Sequence, residues 1–159
     1  MFSRAVSVKR LKKLLHYDPK TGVWCWLRAH RKIKVGDRAG SLDNGYWRVG
    51  IDGKYYKMAR LAFLYMRGKW PPHDVDHKNL KRDDDRWCNL RLATRSQNSA
   101  NKLKRNKFKG VHWSKLHKQW RAQIKVRGET RHLGLFRAPE KAAVVYQAAA
   151  QQYFGEFAR

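Results

Sequence analysis

Four polar side chains of this chain have the types and the spacing that phosphodiester hydrolysis requires. Asp76 and His77 are adjacent, and Asn89 and Asn98 follow at intervals that a strand–loop–strand–helix unit can fold into one cleft. An imidazole, with an unperturbed pKa of ~6.5, can take a proton from a water molecule close to neutral pH. The stretch 75–101 therefore predicts a small hydrolytic centre.

Each of the four residues has its own expected role. His77 is the predicted general base, while Asp76 and the amide oxygen of Asn98 are the predicted ligands of a divalent cation that acts as Lewis acid and stabilises the leaving oxygen. Asn89 is expected to orient His77 through a hydrogen bond. Since neighbouring residues on a strand point to opposite faces, a twist or a strand end must bring Asp76 and His77 into the same cleft.

The charge of the chain indicates its partner. The 159 residues include 37 lysines and arginines against 12 acids, a formal net charge of +25. Such a charge repels itself in a compact fold unless a polyanion neutralises it, and we expect that polyanion to be double-stranded DNA. The aromatic content of 13% argues against a disordered basic tail.

Membrane insertion and zinc binding have little support. No apolar run approaches the ~20 residues that span a bilayer, and the opening residues lack a signal-peptide core, so we expect a cytoplasmic protein. The two cysteines, Cys25 and Cys88, are far apart and neither belongs to a CxxC pair. Structural zinc needs closely spaced soft ligands, so we expect none, and a hard cation (Mg²⁺, or Mn²⁺ as the alternative) is the expected metal.

The elements before the centre predict a small β-rich region, residues 1–70. A short helix is predicted over 6–16, a small antiparallel sheet within 23–58 with Asn-Gly and Asp-Gly turns, and a helix over 59–66. Basic and aromatic residues alternate here. Either they form a ribbon that lies in a DNA groove, or the aromatic residues are core and the charges are solvated. The DNA contacts that follow from the first interpretation are Arg28, Arg31, Lys32 and Arg48.

The rest of the chain predicts two further parts, which together with the first make an α+β protein. Residues 71–104 predict two strands, a polar loop and a helix that opens with a capping box at Thr94 and Gln97. Residues 105–159 predict three strands and a helix that begins at Pro139, packed together. The helix face expected to pack on this sheet comprises Ala142, Val145, Ala149 and Tyr153.

The central motifs VDHKN, RWCNLR and TRSQN resemble the HNH nuclease family with its ββα-metal motif, most closely the HNH homing endonucleases of phages and mobile introns. The resemblance implies that His77 is the general base, that Asp76 and Asn98 bind the metal, and that Asn89 orients the base. The upstream segments YDPKTGVWCW, AGSLDNGYWRV and ARLAFLYMRGKWPP resemble the same nucleases. Relatives usually have a histidine where this chain has Ala59, a position that we interpret as structural or DNA-contacting.

The C-terminal motifs GVHW, KQWRAQI and HLGLF, with the alanine-rich helix, resemble the Apetala-two/ethylene-response-factor DNA-binding domain. The resemblance implies a three-stranded sheet that enters the major groove. The family often has an aromatic residue where this chain has His132, so base preference does not carry over. A basic sheet that holds any phosphate backbone is the alternative. The outward residues, and predicted DNA contacts, are Lys109, His112, Arg121, Gln123, Lys125, Thr130 and His132.

Together these observations predict a metal-dependent, site-preferring DNA endonuclease of a phage or mobile element, acting in a bacterial or phage-infected cell. A monomer that nicks an asymmetric site is expected. The two predicted DNA-contacting regions, residues 1–70 and 105–159, differ from each other, and the sequence shows no pattern typical of a dimer interface. The alternatives are a DNA-binding regulator or nucleoid protein with a vestigial nuclease motif, and a nonspecific DNase. Deletion of 108–159 is expected to weaken site choice while the cutting chemistry remains.

Overall fold

The computed structural model describes residues 5–102 and 108–158, which form two compact units that divide between Leu92 and Ala93. The first unit contains α1 (Val8–Leu14), β1 (Leu15–Tyr17), β2 (Trp24–Trp26), β3 (Ser41–Asp43), β4 (Tyr46–Ile51), β5 (Lys54–Lys57), α2 (Met58–Arg67), β6 (Asp74–His77), a 3-10 turn (Trp87–Asn89) and most of β7 (Leu90–Ala93). The second unit contains α3 (Arg95–Asn101), β8 (Val111–Ser114), β9 (Gln119–Val126), β10 (Glu129–Phe136), α4 (Pro139–Phe154) and a 3-10 turn (Gly155–Phe157). This mixture of helices and small antiparallel sheets confirms the predicted α+β class.

The two predicted hairpin turns of the first unit lie where expected. Asn44-Gly45 joins β3 to β4, and Asp52-Gly53 joins β4 to β5. All four residues have positive φ, the conformation of the two-residue turn that matches the twist of the flanking strands. The three strands make one sheet in the order β3–β4–β5.

The prediction of one sheet over 23–58 is wrong, because β2 belongs to a different sheet. It pairs with β1 in the register Leu15↔Trp26 to Tyr17↔Trp24. The sequence had placed these β1 residues at the end of the first helix. Helix α1 ends earlier because Leu15 and Tyr17 bury their side chains on one face of an extended segment, with His16 outward.

A single hydrophobic core holds the first unit together. Its most buried members include Leu11, Tyr17, Trp24 and Leu61, and the rings of Tyr17 and Trp24 stack with centroids 4.6 Å apart. Trp24 is therefore a core residue rather than a DNA-facing one. Ala59 is also buried in this core, which favours the structural interpretation of this position over contact with DNA.

The second unit is built on a sheet in the order β10–β9–β8 with α4 against one face. Inward residues of β9 are Ala122 and Ile124, both buried, which agrees with the predicted period-two alternation. The outward residues meet across the strands in the pairs His112↔Arg121, Gln123↔His132 and Lys125↔Thr130.

Helix α4 begins at Pro139 as predicted, but the prediction of which residues pack on the sheet was only partly right. Ala142 and Ala149 are buried as expected, whereas Tyr153 is exposed and Val145 is half-buried. The large rings of neighbouring positions fill the core instead. The buried residues of the helix are Ala142, Tyr146, Ala149, Ala150 and Phe154.

Helix α3 opens with the predicted capping box: Thr94 Oγ1 accepts the Gln97 N–H at 3.3 Å, and Gln97 Oε1 accepts the Thr94 N–H at 2.9 Å. Its hydrophobic residue Ala100 packs with Ile124 and Tyr146, so α3 shares the core of the second unit. The predicted end of this helix near Leu103 lies outside the described residues. The three-part division at 70 and 104 stays a prediction.

Across the described residues, every helix is too short or too polar to cross a membrane.

Candidate active site

Asp76 and His77 are the last two residues of β6, and both are buried. Because β6 ends at His77, the backbone can leave the strand direction there. The side chains of Asp76 and His77 can then serve the same centre although they are adjacent in sequence. On the neighbouring strand β7, Arg91 is also buried, and its Nε donates to Asp76 Oδ2 at 2.9 Å. The guanidinium therefore orients the Asp76 carboxylate.

His77 is bonded to a residue that the sequence had not singled out. Its Nε2 lies 2.9 Å from Oδ1 of Asp85, and both side chains are buried. Burial raises the pKa of Asp85, and the hydrogen bond with His77 opposes that rise. The other oxygen, Oδ2, is buried without a hydrogen-bond partner in the described part of the chain. Residues 83–85 form the sole acidic run of a basic sequence, a signal that could have identified Asp85.

The Asp18–Gly22 turn fixes the segment that carries Asp85. The hydroxyl of Tyr17 donates to the Asp85 carbonyl at 2.7 Å, and burial raises the pKa of that hydroxyl, so it remains a donor. The Trp87 N–H donates to the Pro19 carbonyl at 3.0 Å. Gly22 packs so closely that a Cβ there would lie 2.6 Å from the Asp85 carbonyl carbon. The position of the Asp85 carboxylate thus depends on residues far away in sequence.

Asn89 has partners other than the expected one. Its Oδ1 accepts the Asn79 N–H at 3.0 Å, and its Nδ2 donates to the Asp84 carbonyl at 2.8 Å. The expected hydrogen bond from Asn89 to His77 is therefore replaced by two bonds to the loop backbone, since both side-chain groups are used there. Asn89 closes the loop, and Asp85 provides the contact to His77.

A second carboxylate in the loop has the opposite electrostatic setting. Asp84 accepts hydrogen bonds from Arg86 Nε at 2.7 Å and from Asn79 Nδ2 at 2.6 Å. The hydrogen bond from Arg86 lowers the pKa of Asp84 to about 2, so this carboxylate stays ionised. Adjacent aspartates are thus held differently, one by a cation and one by an imidazole.

Asn98 lies on α3 in the second unit, half-buried, and its backbone N–H donates to the Thr94 carbonyl at 2.9 Å. Its predicted sharing of a metal with Asp76 stays a prediction. Within the described ranges, no three His, Cys, Asp or Glu side chains group closely enough to hold a metal ion. Carboxylate and amide oxygens are ligands that suit a hard divalent cation, and the carboxylate of Asp76 is fixed by a guanidinium. The donor chemistry therefore fits the expected metal.

The predicted DNA contacts of the first unit lie in two settings. Arg28, Arg31 and Lys32 are exposed in the connection between β2 and β3. Arg48, on β4, is half-buried; its Nη1 donates to Asp43, and its guanidinium carbon lies 5.8 Å from the ring centroid of Tyr55. The first three cations are available to an external partner, while Arg48 already has an acid beside it.

The second unit brings six of its seven predicted contacts onto one sheet face. Lys109 differs: its ammonium donates to the carbonyls of Ala100 and, at 3.0 Å, Lys102. It therefore caps the C-terminal end of α3, and its expected role as a DNA contact gives way to a structural bond. A cleft of about 400 Å³ in this unit is lined by polar and basic groups of the sheet and α3, together with nonpolar groups that include Ile124 and, from α4, Tyr146 and Phe154. The face itself consists of His112, Arg121, Gln123, Lys125, Thr130 and His132.

Comparison with known proteins finds similarity that includes the central segment. Residues 56–100 match the family model described as HNH endonuclease. Over 106 residues the chain is 35% identical to a protein of Acanthamoeba polyphaga mimivirus named as an uncharacterized HNH endonuclease; the alignment covers 64% of this chain and 56% of that relative. The chain thus spans little more than half the relative's length. No solved structure matches it.

Proposed function

We propose that the chain is a metal-dependent DNA endonuclease of the HNH homing type, which prefers certain sites and nicks one strand as a monomer. The observation that carries the proposal is the buried pair His77–Asp85, with Asp76 beside it, inside the segment that matches the HNH endonuclease model. A buried imidazole bonded to a carboxylate is the arrangement expected of a general base.

In the proposed reaction, Asp85 holds the N–H of His77 at Nε2, so the neutral imidazole has its basic lone pair on Nδ1. His77 takes a proton from water as the water oxygen bonds to phosphorus. The bond from phosphorus to the 3′ oxygen breaks, and that oxygen takes a proton from solvent water and leaves as a hydroxyl. The imidazolium of His77 later returns its proton to solvent. Asp85 stabilises the imidazolium that forms.

Asp76 and Asn98 are the residues that would hold the metal. When bound, a divalent cation supplies Lewis-acid stabilisation of the phosphate and the leaving oxygen. Arg91 orients the Asp76 carboxylate through the 2.9 Å bond to its Oδ2. HNH nucleases generally use such a metal, and we propose Mg²⁺, with Mn²⁺ as the substitute.

Site preference is assigned to the second unit, whose sheet we propose to act as an Apetala-two/ethylene-response-factor-type reader of the major groove. Arg121 and Gln123 can form hydrogen bonds with base edges, while Lys125 contacts phosphate. Arg28, Arg31 and Lys32 of the first unit extend the grip along the backbone. A viral relative fits a role inside an infected host cell.

The test is cleavage of supercoiled plasmid in Mg²⁺ and in Mn²⁺, with EDTA as the metal-free arm. We expect open-circular product before linear product. His77→Ala should lower the rate roughly 100- to 10,000-fold, the usual contribution of a general base. His16→Ala is the matched control, because His16 is an exposed histidine of the same unit.

Wild-type protein that binds DNA but never cuts would support the regulator or nucleoid alternative and overturn the proposal. Equal loss in His77→Ala and His16→Ala would point to a general defect and contradict the role of His77. Cutting without preference among duplexes of varied sequence would support a nonspecific DNase instead.

A further inference from the structure

The ring of Tyr46 on β4 gathers two cations beside the candidate active site. The ammonium of Lys57 lies 4.1 Å from the ring centroid, and the guanidinium carbon of Arg82 lies 5.2 Å from it. The same ring is 6.0 Å, centroid to centroid, from the imidazole of His77. Two positive charges are thus held next to the proposed general base.

These two cations have no acidic partner in the described part of the chain, unlike the arginines of this unit that pair with aspartate. The side chains of Lys57 and Arg82 form no hydrogen bond or ion pair with any described residue, and each is exposed. Their remaining hydrogen-bond donors can therefore serve an external anion. The arginines of this unit that pair with aspartate are Arg10, Arg48, Arg86 and Arg91.

The cluster joins three parts of the fold. Tyr46 and Arg48 share one face of β4, and Lys57 is the β5 partner of Arg48 across the sheet. Arg82 comes from the loop that also carries Asp85. Its side chain lies beside the Asn-Gly turn, where a Cβ on Gly45 would be in van der Waals contact with the Arg82 Cδ at 3.7 Å. The face of the β3–β5 sheet therefore leads directly to the catalytic loop.

We propose that Lys57 and Arg82, held over Tyr46, form a phosphate-binding site that takes a backbone phosphate of the nucleic acid at the cleavage centre. This inference rests on the proposed nuclease function. An aromatic face positions both cations without neutralising them, as an aspartate would. Guanidinium and ammonium groups are the usual phosphate ligands of proteins, and charge-assisted bonds to phosphate oxygens strengthen as charge builds there in the transition state.

Two matched pairs of variants test the site. Lys57→Gln and Arg82→Gln, singly and together, are compared with Lys12→Gln and Arg67→Gln. The control cations also lie over rings of the same unit without an acid: Lys12 is 4.8 Å from the Tyr65 centroid and Arg67 is 5.7 Å from that of Trp87. All single variants remove one charge from an exposed side chain, and thermal unfolding confirms that each is folded.

The first readout is binding of a fluorescent duplex in EDTA across a range of salt concentrations. The Lys57/Arg82 double variant should bind more weakly, and the slope of log affinity against log salt should flatten by at least ~0.9, the value for one phosphate contact. The second readout is the cleavage rate at saturating DNA, which should fall roughly 100-fold because the phosphate loses donors that act in the transition state. The control double variant should keep the wild-type rate.

Tyr46 gives a further check on the ring itself. Tyr46→Phe keeps the ring, so the salt slope and the cleavage rate should stay at their wild-type values. Tyr46→Leu removes the ring, so both quantities should shift toward those of the Lys57/Arg82 double variant. Wild-type slope and rate in the Lys57/Arg82 double variant, while His77→Ala abolishes cutting, would overturn the phosphate site alone. Absence of cleavage by the wild type would overturn the nuclease proposal, and the salt slopes would still decide whether the cations bind phosphate.

Discussion

The two three-stranded sheets of this protein have opposite kinds of outer face. On the β3–β5 sheet, the cations lie beside tyrosine rings, as with Lys57 at Tyr46 and Arg48 near Tyr55. On the β8–β10 sheet, the outward row alternates cations with an amide, a hydroxyl and imidazoles, as in Gln123↔His132 and Lys125↔Thr130. The first face offers charge held at fixed positions, and the second offers hydrogen-bonding groups.

This difference teaches how the two tasks are divided. Charge held by rings suits phosphates, which are the same at every step of a duplex, so it can position DNA but carries no sequence information. Amide and guanidinium groups in a row can distinguish base edges. The first sheet also places the ring of Tyr46 6.0 Å, centroid to centroid, from the imidazole of His77. We therefore expect changes on the outer face of the β3–β5 sheet to affect the rate of cutting, and changes on the outer face of the β8–β10 sheet to affect which sequence is chosen.

The strongest test of this division uses one glycine in each unit. Gly22 and Gly110 have φ of 76° and 70°, and a Cβ would lie 2.6 Å from the backbone of Asp85 in one case and 2.1 Å from the ring of Tyr146 in the other. Each Gly→Ala change should cost about 3 kcal/mol in the free energy of unfolding, from left-handed strain and overpacking together. Gly22→Ala should also slow cutting, and Gly110→Ala should weaken duplex binding. Urea unfolding, cleavage and binding assays measure the three effects.

Gly53 and Gly128 provide matched controls. They have φ of 77° and 93° with no atom within 4 Å of a Cβ, so alanine there brings strain without a clash. Equal losses in the controls would show that strain alone explains the effect. Loss of cutting in Gly110→Ala with binding intact would contradict the division of tasks.

The next prediction separates chemistry from stability within the first unit. Asp85→Asn should lower the cleavage rate roughly 10- to 100-fold, which is the usual effect of losing the carboxylate that orients a functional histidine. The same change should raise stability at pH 7 by about 1 kcal/mol, because burial disfavours the charged carboxylate and the amide carries no charge.

The sign of the pH dependence follows from the raised pKa of Asp85. A carboxyl group whose folded pKa is raised contributes stability at pH values below its unfolded pKa, and loses it as the pH rises through the folded value. Wild type and Asp85→Asn should therefore converge in acid and diverge toward neutral pH, measured as melting temperature against pH. Asp83→Asn, an exposed neighbour, should follow the wild type. A less stable Asp85→Asn at pH 7 would contradict this account.

Local signals were enough to predict much of the fold. The Asn44-Gly45 and Asp52-Gly53 turns, the Thr94–Gln97 capping box and the start of α4 at Pro139 each depend on a few adjacent residues, and the structure has them where the sequence indicated. The pairing of β2 with β1 could not be predicted from adjacent residues. It depends on the burial of Leu15 and Tyr17 in the core of the first unit, which is a long-range property.

The candidate site was predictable in its residue types but less so in its partners. Spacing drew attention to Asn89, yet its bonds to Asn79 and Asp84 follow from how the loop closes. Asp85 reaches His77 because Tyr17, Pro19 and Gly22 fix its segment, and none of these is near it in sequence.

The expected outcome of deleting 108–159 also changes. Ala93 and Ala100 pack with Ile124 and Tyr146, so the deletion would expose the inner side of α3, the helix that carries Asn98. We expect that truncation to disturb the predicted metal ligand as well as site choice.

The smallest predicted effects concern the β8–β10 sheet and test its reading role directly. Gln123→Ala should reduce discrimination between preferred and random duplexes by about 1 kcal/mol, or fivefold, with an unchanged salt slope, because a neutral amide reads bases and releases no counterion. Lys125→Ala should weaken all duplexes alike and flatten the slope by about 0.9. Lys115→Ala, an exposed lysine of the β8–β9 turn, is the control. If Gln123→Ala changed the slope and left discrimination intact, this sheet would be a second phosphate-binding surface, and the contrast between the two sheets would fail.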